Sequence, residues 1–109
     1  MKAFFVDSVQ REVREVEYNG DWRTIAPMLG CQYFTIVQLN QEGDTVFVDD
    51  EGLLHDPKTF FVIKGFEQPL AGNGLVLGCN EDGDSTAPRK IDLAWLNENI
   101  TFPTVVLWR

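Results

Sequence analysis

Three groups of residues in this chain could do chemistry. Asp49, Asp50 and Glu51 are consecutive carboxylates at the end of an apolar run, and such oxygen ligands can hold a divalent cation. Gly72-Asn73-Gly74 runs directly into Leu75-Val76-Leu77-Gly78, and glycines let neighbouring backbone N–H groups turn toward one anion. Asn80-Glu81-Asp82-Gly83-Asp84-Ser85 is an acidic loop with the outward look of a calcium site.

Each group also has a structural reading. Successive strand residues point to opposite faces, so Asp49, Asp50 and Glu51 converge only if the chain turns. A polar turn in which Asp50 or Glu51 accepts backbone donors before Gly52 explains them equally well. The Asn80 loop fails calcium spacing: Gly83 stands at the fourth place, not the sixth, and Ile91 occupies the position of the bidentate Glu. A strand follows Gly74, so the glycine loop lacks the positive potential of a helix N-terminus. It matches neither a Walker loop nor a dinucleotide fingerprint. Its glycines read as a tight turn at positive φ, with close packing at Gly78.

His55 is the sole histidine, which leaves no His-rich metal cluster, and beside Asp56 it reads as a surface-loop residue. Cys31 and Cys79 are too few for a disulfide framework or a zinc site, and their spacing excludes a Cys-x-x-Cys redox pair. Cys31 follows a helix end whose dipole disfavours a thiolate, which makes it a structural thiol. The expectation is no catalytic residue, no metal and no cofactor. Gly72, Asn73, Gly74, Asp49, Asp50, Glu51, Asp84 and Ser85 are the candidate ligand contacts.

The elements that position these groups fit one α+β domain over residues 1–109, with a mostly antiparallel sheet and two main helices packed on it. Ala3 to Val6 and Glu12 to Tyr18 read as a hairpin joined at Asp7-Ser8-Val9-Gln10. The imperfect alternation of Val13, Val16 and Tyr18 marks the second strand as an edge or as bulged. Asp21 caps a short helix in which Trp22, Ile25, Ala26 and Leu29 share one buried face. Gly30 ends it, and Pro27 shortens, kinks or tightens it. Tyr33 to Leu39 is nearly all apolar or β-favouring and reads as a central strand, with Thr45 to Val48 its partner across the polar turn Asn40–Asp44. Phe60 to Ile63 and Leu75 to Leu77 are further strands, with Gly65 to Gly74 a loop. Ile91 to Glu98 is the second helix, and Thr101 to Trp108 a final strand at an edge because of Pro103.

Composition narrows the function classes. Nine basic against seventeen acidic residues give a net charge of −8, so duplex nucleic acid is not expected as a direct ligand. The acidic surface serves solubility, faces a basic partner, or mimics nucleic acid toward a protein that binds it. Three Trp and eight Phe in 109 residues mean a dense core or an aromatic binding surface. The opening Met1-Lys2-Ala3-Phe4-Phe5-Val6-Asp7 is too short in apolar residues for a signal peptide, and no segment approaches membrane-spanning length. The expectation is a soluble, cytoplasmic protein with no membrane partner.

Val48-Asp49-Asp50-Glu51-Gly52-Leu53-Leu54, then Gln68-Pro69-Leu70-Ala71-Gly72-Asn73-Gly74-Leu75-Val76-Leu77-Gly78, then Gly83-Asp84-Ser85 resemble the domain-of-unknown-function 3846 family. Lys2-Ala3, Asp7, Val13, Val16-Glu17 and Leu29-Gly30-Cys31 add to the resemblance, which covers Lys2 to Glu98. The tail from Phe102 to Arg109 is less characteristic. The resemblance implies a small intracellular protein of bacteriophages, plasmids or bacteria, and it carries no activity with it. Small accessory phage proteins often act by binding: they inhibit host enzymes, sequester signalling nucleotides or blunt defence systems.

The leading expectation is therefore a non-catalytic binding or inhibitor protein acting on a host protein or on a small anionic ligand. The alternatives are a self-assembling structural accessory, working as a homo-oligomer, and a metal-dependent enzyme built on Asp49, Asp50 and Glu51.

Overall fold

The protein is seen in a computed structural model that describes residues 1–51, 59–66 and 68–103. Strand β1 (Lys2–Asp7) sends Ala3 and Phe5 to one face and Phe4 and Val6 to the other, and all four are buried. A strand apolar on both faces needs cover on both sides. Strands β4 (Thr45–Asp49) and β7 (Gly74–Cys79) repeat the pattern. Val46, Val48 and Val76 join Phe4 and Val6, while Phe47, Leu75 and Leu77 join Ala3 and Phe5.

These strands form one sheet with β2 (Glu12–Glu17) and β3 (Phe34–Gln38), in the order β2-β1-β7-β4-β3. The two-residue β8 (Ser85–Thr86) pairs with the end of β7. β2 is an edge, as expected, and its register runs without a bulge from Lys2 opposite Glu17 to Asp7 opposite Glu12. Val13 and Val16 lie three apart and so face opposite sides, each packing against a different core cluster.

The expectation for Tyr33 to Leu39 is corrected. Among the described residues β3 is the outer strand of the sheet, not a central one, and Ile36 is 53% exposed. The centre belongs to β7, a six-residue strand held between β1 and β4.

One face of the sheet carries a 3-10 turn (Trp22–Thr24) leading into helix α1 (Ile25–Leu29). Asp21 caps the turn by accepting the Arg23 N–H at 3.0 Å. Pro27 falls in the first turn of α1, where a missing N–H costs little. Gly30 closes the helix at φ +73, with its N–H donating to Pro27 and that of Cys31 to Ala26. Ile25 and Leu29 are buried with Tyr18, Phe47, Leu75 and Leu77. Trp22 departs from the expected buried face: the 3-10 turn buries no residue, and Trp22 is 66% exposed.

The other face carries helix α2 (Leu93–Asn99) and a small sheet ordered β6 (Leu70–Ala71), β5 (Phe60–Ile63), β9 (Ile100–Thr101). Asp92 caps α2 by accepting the Trp95 N–H at 2.8 Å. Phe61, Ile63, Ile91, Leu96 and Ile100 meet Phe4, Val6, Val46, Val48 and Val76. The final strand is described only as β9, at the edge of the small sheet; residues 104–109 lie outside the described residues. Every strand pairing among the described residues is antiparallel, and the two short helices cover opposite faces. This is the α+β architecture that the strand and helix patterns predict.

Candidate functional site

The glycine loop is tied into the fold at each residue. Gly72 takes φ +78 and donates its N–H to the Thr59 carbonyl at 2.9 Å. The Asn73 Oδ1 accepts the Ser8 N–H at 3.0 Å and the Ser8 hydroxyl at 3.3 Å, and that hydroxyl lies 2.7 Å from the Thr59 hydroxyl oxygen. Gly74 sits inside β7, in register with Val6 on one side and Val48 on the other. A Cβ there would come within 2.8 Å of the Phe61 ring. Gly78 is equally confined, against Thr86 and Ala87. Asn73 therefore binds the β1–β2 hairpin to the loop, and the glycines allow the turn and the close packing.

Asp49, Asp50 and Glu51 end β4. The Asp49 Oδ1 accepts the Glu51 N–H at 2.9 Å, and the Asp50 N–H donates to the Tyr33 carbonyl at 3.0 Å. The turn-making acceptor is thus Asp49, where the sequence pointed to Asp50 or Glu51. Among the described residues, no group of three or more His, Cys, Asp or Glu side chains could hold a metal. Gly52, Leu53, Leu54, His55 and Asp56 lie outside the described residues.

The acidic loop before Asp84 and Ser85 is a turn built on Asn80. Its Oδ1 accepts the N–H groups of Asp82 at 3.0 Å and Asp84 at 2.9 Å. The β3–β4 connection has the same construction: the Asn40 Oδ1 accepts from Glu42 at 3.0 Å and Asp44 at 3.1 Å. In both turns a glycine at positive φ, Gly43 or Gly83, precedes the Asp. The two lie side by side, since a Cβ on Gly43 would strike the Cys79 carbonyl.

Their aspartates differ. Asp84 is exposed, whereas Asp44 is fully buried and accepts the backbone N–H groups of Arg89, Lys90 and Ile91 at 2.7, 2.8 and 2.9 Å. Burial alone would raise its pKa, but these donors and the Asn40 amide hold the carboxyl below its ordinary value. Cys31 donates its thiol to the Tyr33 carbonyl at 3.3 Å. Burial, and then the Asp49 carboxylate, push its pKa up, which fits a structural thiol.

The surface of greatest interest lies between α1 and β3. Trp22 (66% exposed) and Tyr33 line a groove of about 470 Å³ with Arg23, Ala26, Pro27 and Phe34. Ile36 stands next along β3 on the same face as Phe34, and Phe34 packs edge-on against Phe47 with ring centroids 5.3 Å apart. Trp22, Tyr33 and Ile36 are three of the five exposed large hydrophobic residues among those described. A second groove, of about 600 Å³, opens at the other end of β3, lined by Ile36, Gln38, Gln41, Glu42, Glu81 and Arg89 among others. Apolar content alone does not distinguish this surface from core. A signal was present: from Thr24 to Gln41 no residue is charged.

The family model described as Domain of unknown function (DUF3846) matches residues 1–98, and the chain belongs to this family. No curated protein and no solved structure matches the chain. No helix among the described residues is long and apolar enough to cross a membrane.

Proposed function

We propose that this chain is a non-catalytic binding protein whose contact surface is the α1–β3 side, and that its partner is a protein. The observation that carries this reading is the gathering of Trp22, Tyr33 and Ile36 in exposed positions on one side of a chain whose other described aromatic side chains largely enter the two cores. Exposed aromatic side chains flanking a groove are the anchors that protein interfaces use. A small anionic ligand at Gly72–Gly74 is the weaker form of the binding reading, because the Gly72 N–H and the Asn73 Oδ1 already hold Thr59 and Ser8. In a phage setting such a protein would act as an inhibitor of a host protein.

Affinity capture from bacterial lysate tests the reading, with a nucleotide extract of the same sample read by mass spectrometry. The expected result is a protein retained by the natural chain and by a Val9→Ala control, but lost with Trp22→Ala and Tyr33→Ala together. Val9 is 65% exposed in the β1–β2 turn, away from α1 and β3. Retention by the double variant, or recovery of a nucleotide in place of a protein, overturns it.

A further inference from the structure

The two edges of the main sheet differ in kind. β2 reads Glu-Val-Arg-Glu-Val-Glu, and charged side chains of this sort discourage another strand from pairing. β3 reads Phe-Thr-Ile-Val-Gln and has no charge to do so. Its ladder with β4 uses the odd-numbered residues: the Leu39 N–H donates to the Asp44 carbonyl at 2.8 Å, and the Tyr33 carbonyl accepts from Asp50 at 3.0 Å. Antiparallel ladders alternate, so Phe34, Ile36 and Gln38 direct their N–H and C=O groups away from β4. Among the described residues no strand pairs with that side.

Acidic groups stand beyond both ends of β3. At the Phe34 end stand Asp49, Asp50 and Glu51, in register with or just beyond the first β3 residue. At the Gln38 end, Glu42 and Glu81 line the groove with the single Arg89, and Asp82 and Asp84 follow in the neighbouring turn. A second copy of this chain would meet these groups badly. Two-fold antiparallel pairing about Ile36 lays the Asp49–Glu51 end of one copy beside the Glu42 end of the other, acid on acid, between molecules of net charge −8. Like charges brought together at an interface cost affinity.

We infer that the β3 edge accepts an extended segment of a partner protein as an additional antiparallel strand, and that this segment is apolar in its middle and carries Lys or Arg at both ends. The middle pairs with Phe34, Ile36 and Gln38 and extends the apolar face that Ile36 leaves open; the basic ends meet the two acidic groups. The inference rests on the proposed protein-binding function and specifies the partner's shape and charge.

The probes are synthetic peptides with a central alternation of valine and threonine and two lysines at each end. One comparison peptide carries glutamates in place of the lysines, and another is N-methylated at alternate central residues. Binding is measured by titration, and amide exchange on the natural chain by NMR. The lysine-flanked peptide is expected to bind and to slow exchange at Phe34, Ile36 and Gln38 by about tenfold or more. The glutamate-flanked peptide should bind about tenfold more weakly or worse, and the N-methylated peptide should give no protection. Ile36→Pro removes an outward N–H that β4 does not use. It should keep the melting temperature near that of the natural chain and lose the peptide. If it unfolds, the N-methylated peptide carries the same test.

The inference is overturned by no protection of these amides by the lysine-flanked peptide, by equal binding of both charge types, or by a dimeric chain whose Ile36 amide is already protected. Failure of strand addition alone is distinguishable from failure of the underlying function. If lysate capture is lost with Trp22→Ala and Tyr33→Ala but survives Ile36→Pro, strand addition falls and the protein-binding surface stands.

Discussion

The carboxylate of Asp44 accepts the backbone N–H of Ile91 at 2.9 Å, and so fastens the β3–β4 turn to the segment that leads into α2, 47 residues away. The same carboxylate takes the N–H groups of Arg89 and Lys90, and Asn40 holds it from the other side. One side chain therefore joins two loops at the end of the sheet. Replacing it with Ala strands several donors, of which that of Ile91 is buried. Asp44→Ala should lower stability by about 2–4 kcal/mol, and urea unfolding monitored by Trp fluorescence measures this. Asp84→Ala, in the sister turn, should change stability by less than about 0.5 kcal/mol.

Acid should weaken the fold through the same group. Burial acts against ionisation at both Asp44 and Asp7. Their donors outweigh it: Arg89, Asn40, Ile91 and Lys90 at Asp44, and Gln10, Arg14 and Val9 at Asp7. Both carboxyls thus have folded pKa values below their unfolded ones. Their stabilisation is complete above the unfolded pKa and is lost as pH falls through the folded value. Unfolding free energy should be flat near neutrality with respect to these groups and should fall from about pH 4 downward. Asp44→Asn should flatten part of that fall. An unchanged acid slope in the variant contradicts the assignment.

Much of this arrangement was legible in the chain. The Asp21 cap, the Gly30 helix end, the β1–β2 hairpin and the strand Phe60–Ile63 all follow local rules, and local rules are what a sequence shows. Two things escaped. Asp44 read as one more polar turn residue, because its partners lie far along the chain and only tertiary structure brings them near. β3 read as central, because an uncharged apolar strand looks the same whether a neighbouring strand or solvent lies beside it. The candidate ligand residues divide by the same logic. Asn73 and Asp49 stand among the candidate ligand contacts, and their observed partners are donors of the chain itself.

The two loop glycines should respond differently to Ala. Gly72 is at φ +78 with open space around its Cβ position, so the cost is conformational, about 1 kcal/mol. Gly74 has an ordinary φ but meets Phe61 at 2.8 Å and Val46 at 3.0 Å, so the cost is overpacking, about 1–3 kcal/mol. Gly74→Ala should also perturb the Phe61 ring resonances, while Gly72→Ala should leave them in place. Equal chemical-shift changes from both variants would count against this division.

Magnesium, manganese or calcium at millimolar concentration should leave the melting temperature unchanged. Asp49 already serves its own turn by accepting from Glu51, Asp50 is exposed at a strand end, and no described cluster of ligands surrounds them. A rise of several degrees with one of these ions, abolished by Asp50→Asn, would restore the metal-enzyme alternative.

Trp22 and Tyr33 provide the sharpest separation of stability from function. A buried Trp or Phe exchanged for Ala costs about 3–5 kcal/mol, whereas a residue outside the core costs about 0.5 kcal/mol or less. Trp22 lies in a turn that buries nothing, and Tyr33 is 57% exposed. Their cores are supplied instead by Ile25, Leu29 and Phe47 beneath them. Trp22→Ala and Tyr33→Ala should therefore leave the urea midpoint nearly unchanged while removing partner capture. Phe47→Ala should do the reverse in order, unfolding the chain first and losing capture only as a consequence. If the two exposed substitutions destabilise the chain as much as Phe47→Ala does, these side chains belong to the core and the α1–β3 surface loses its claim to a partner.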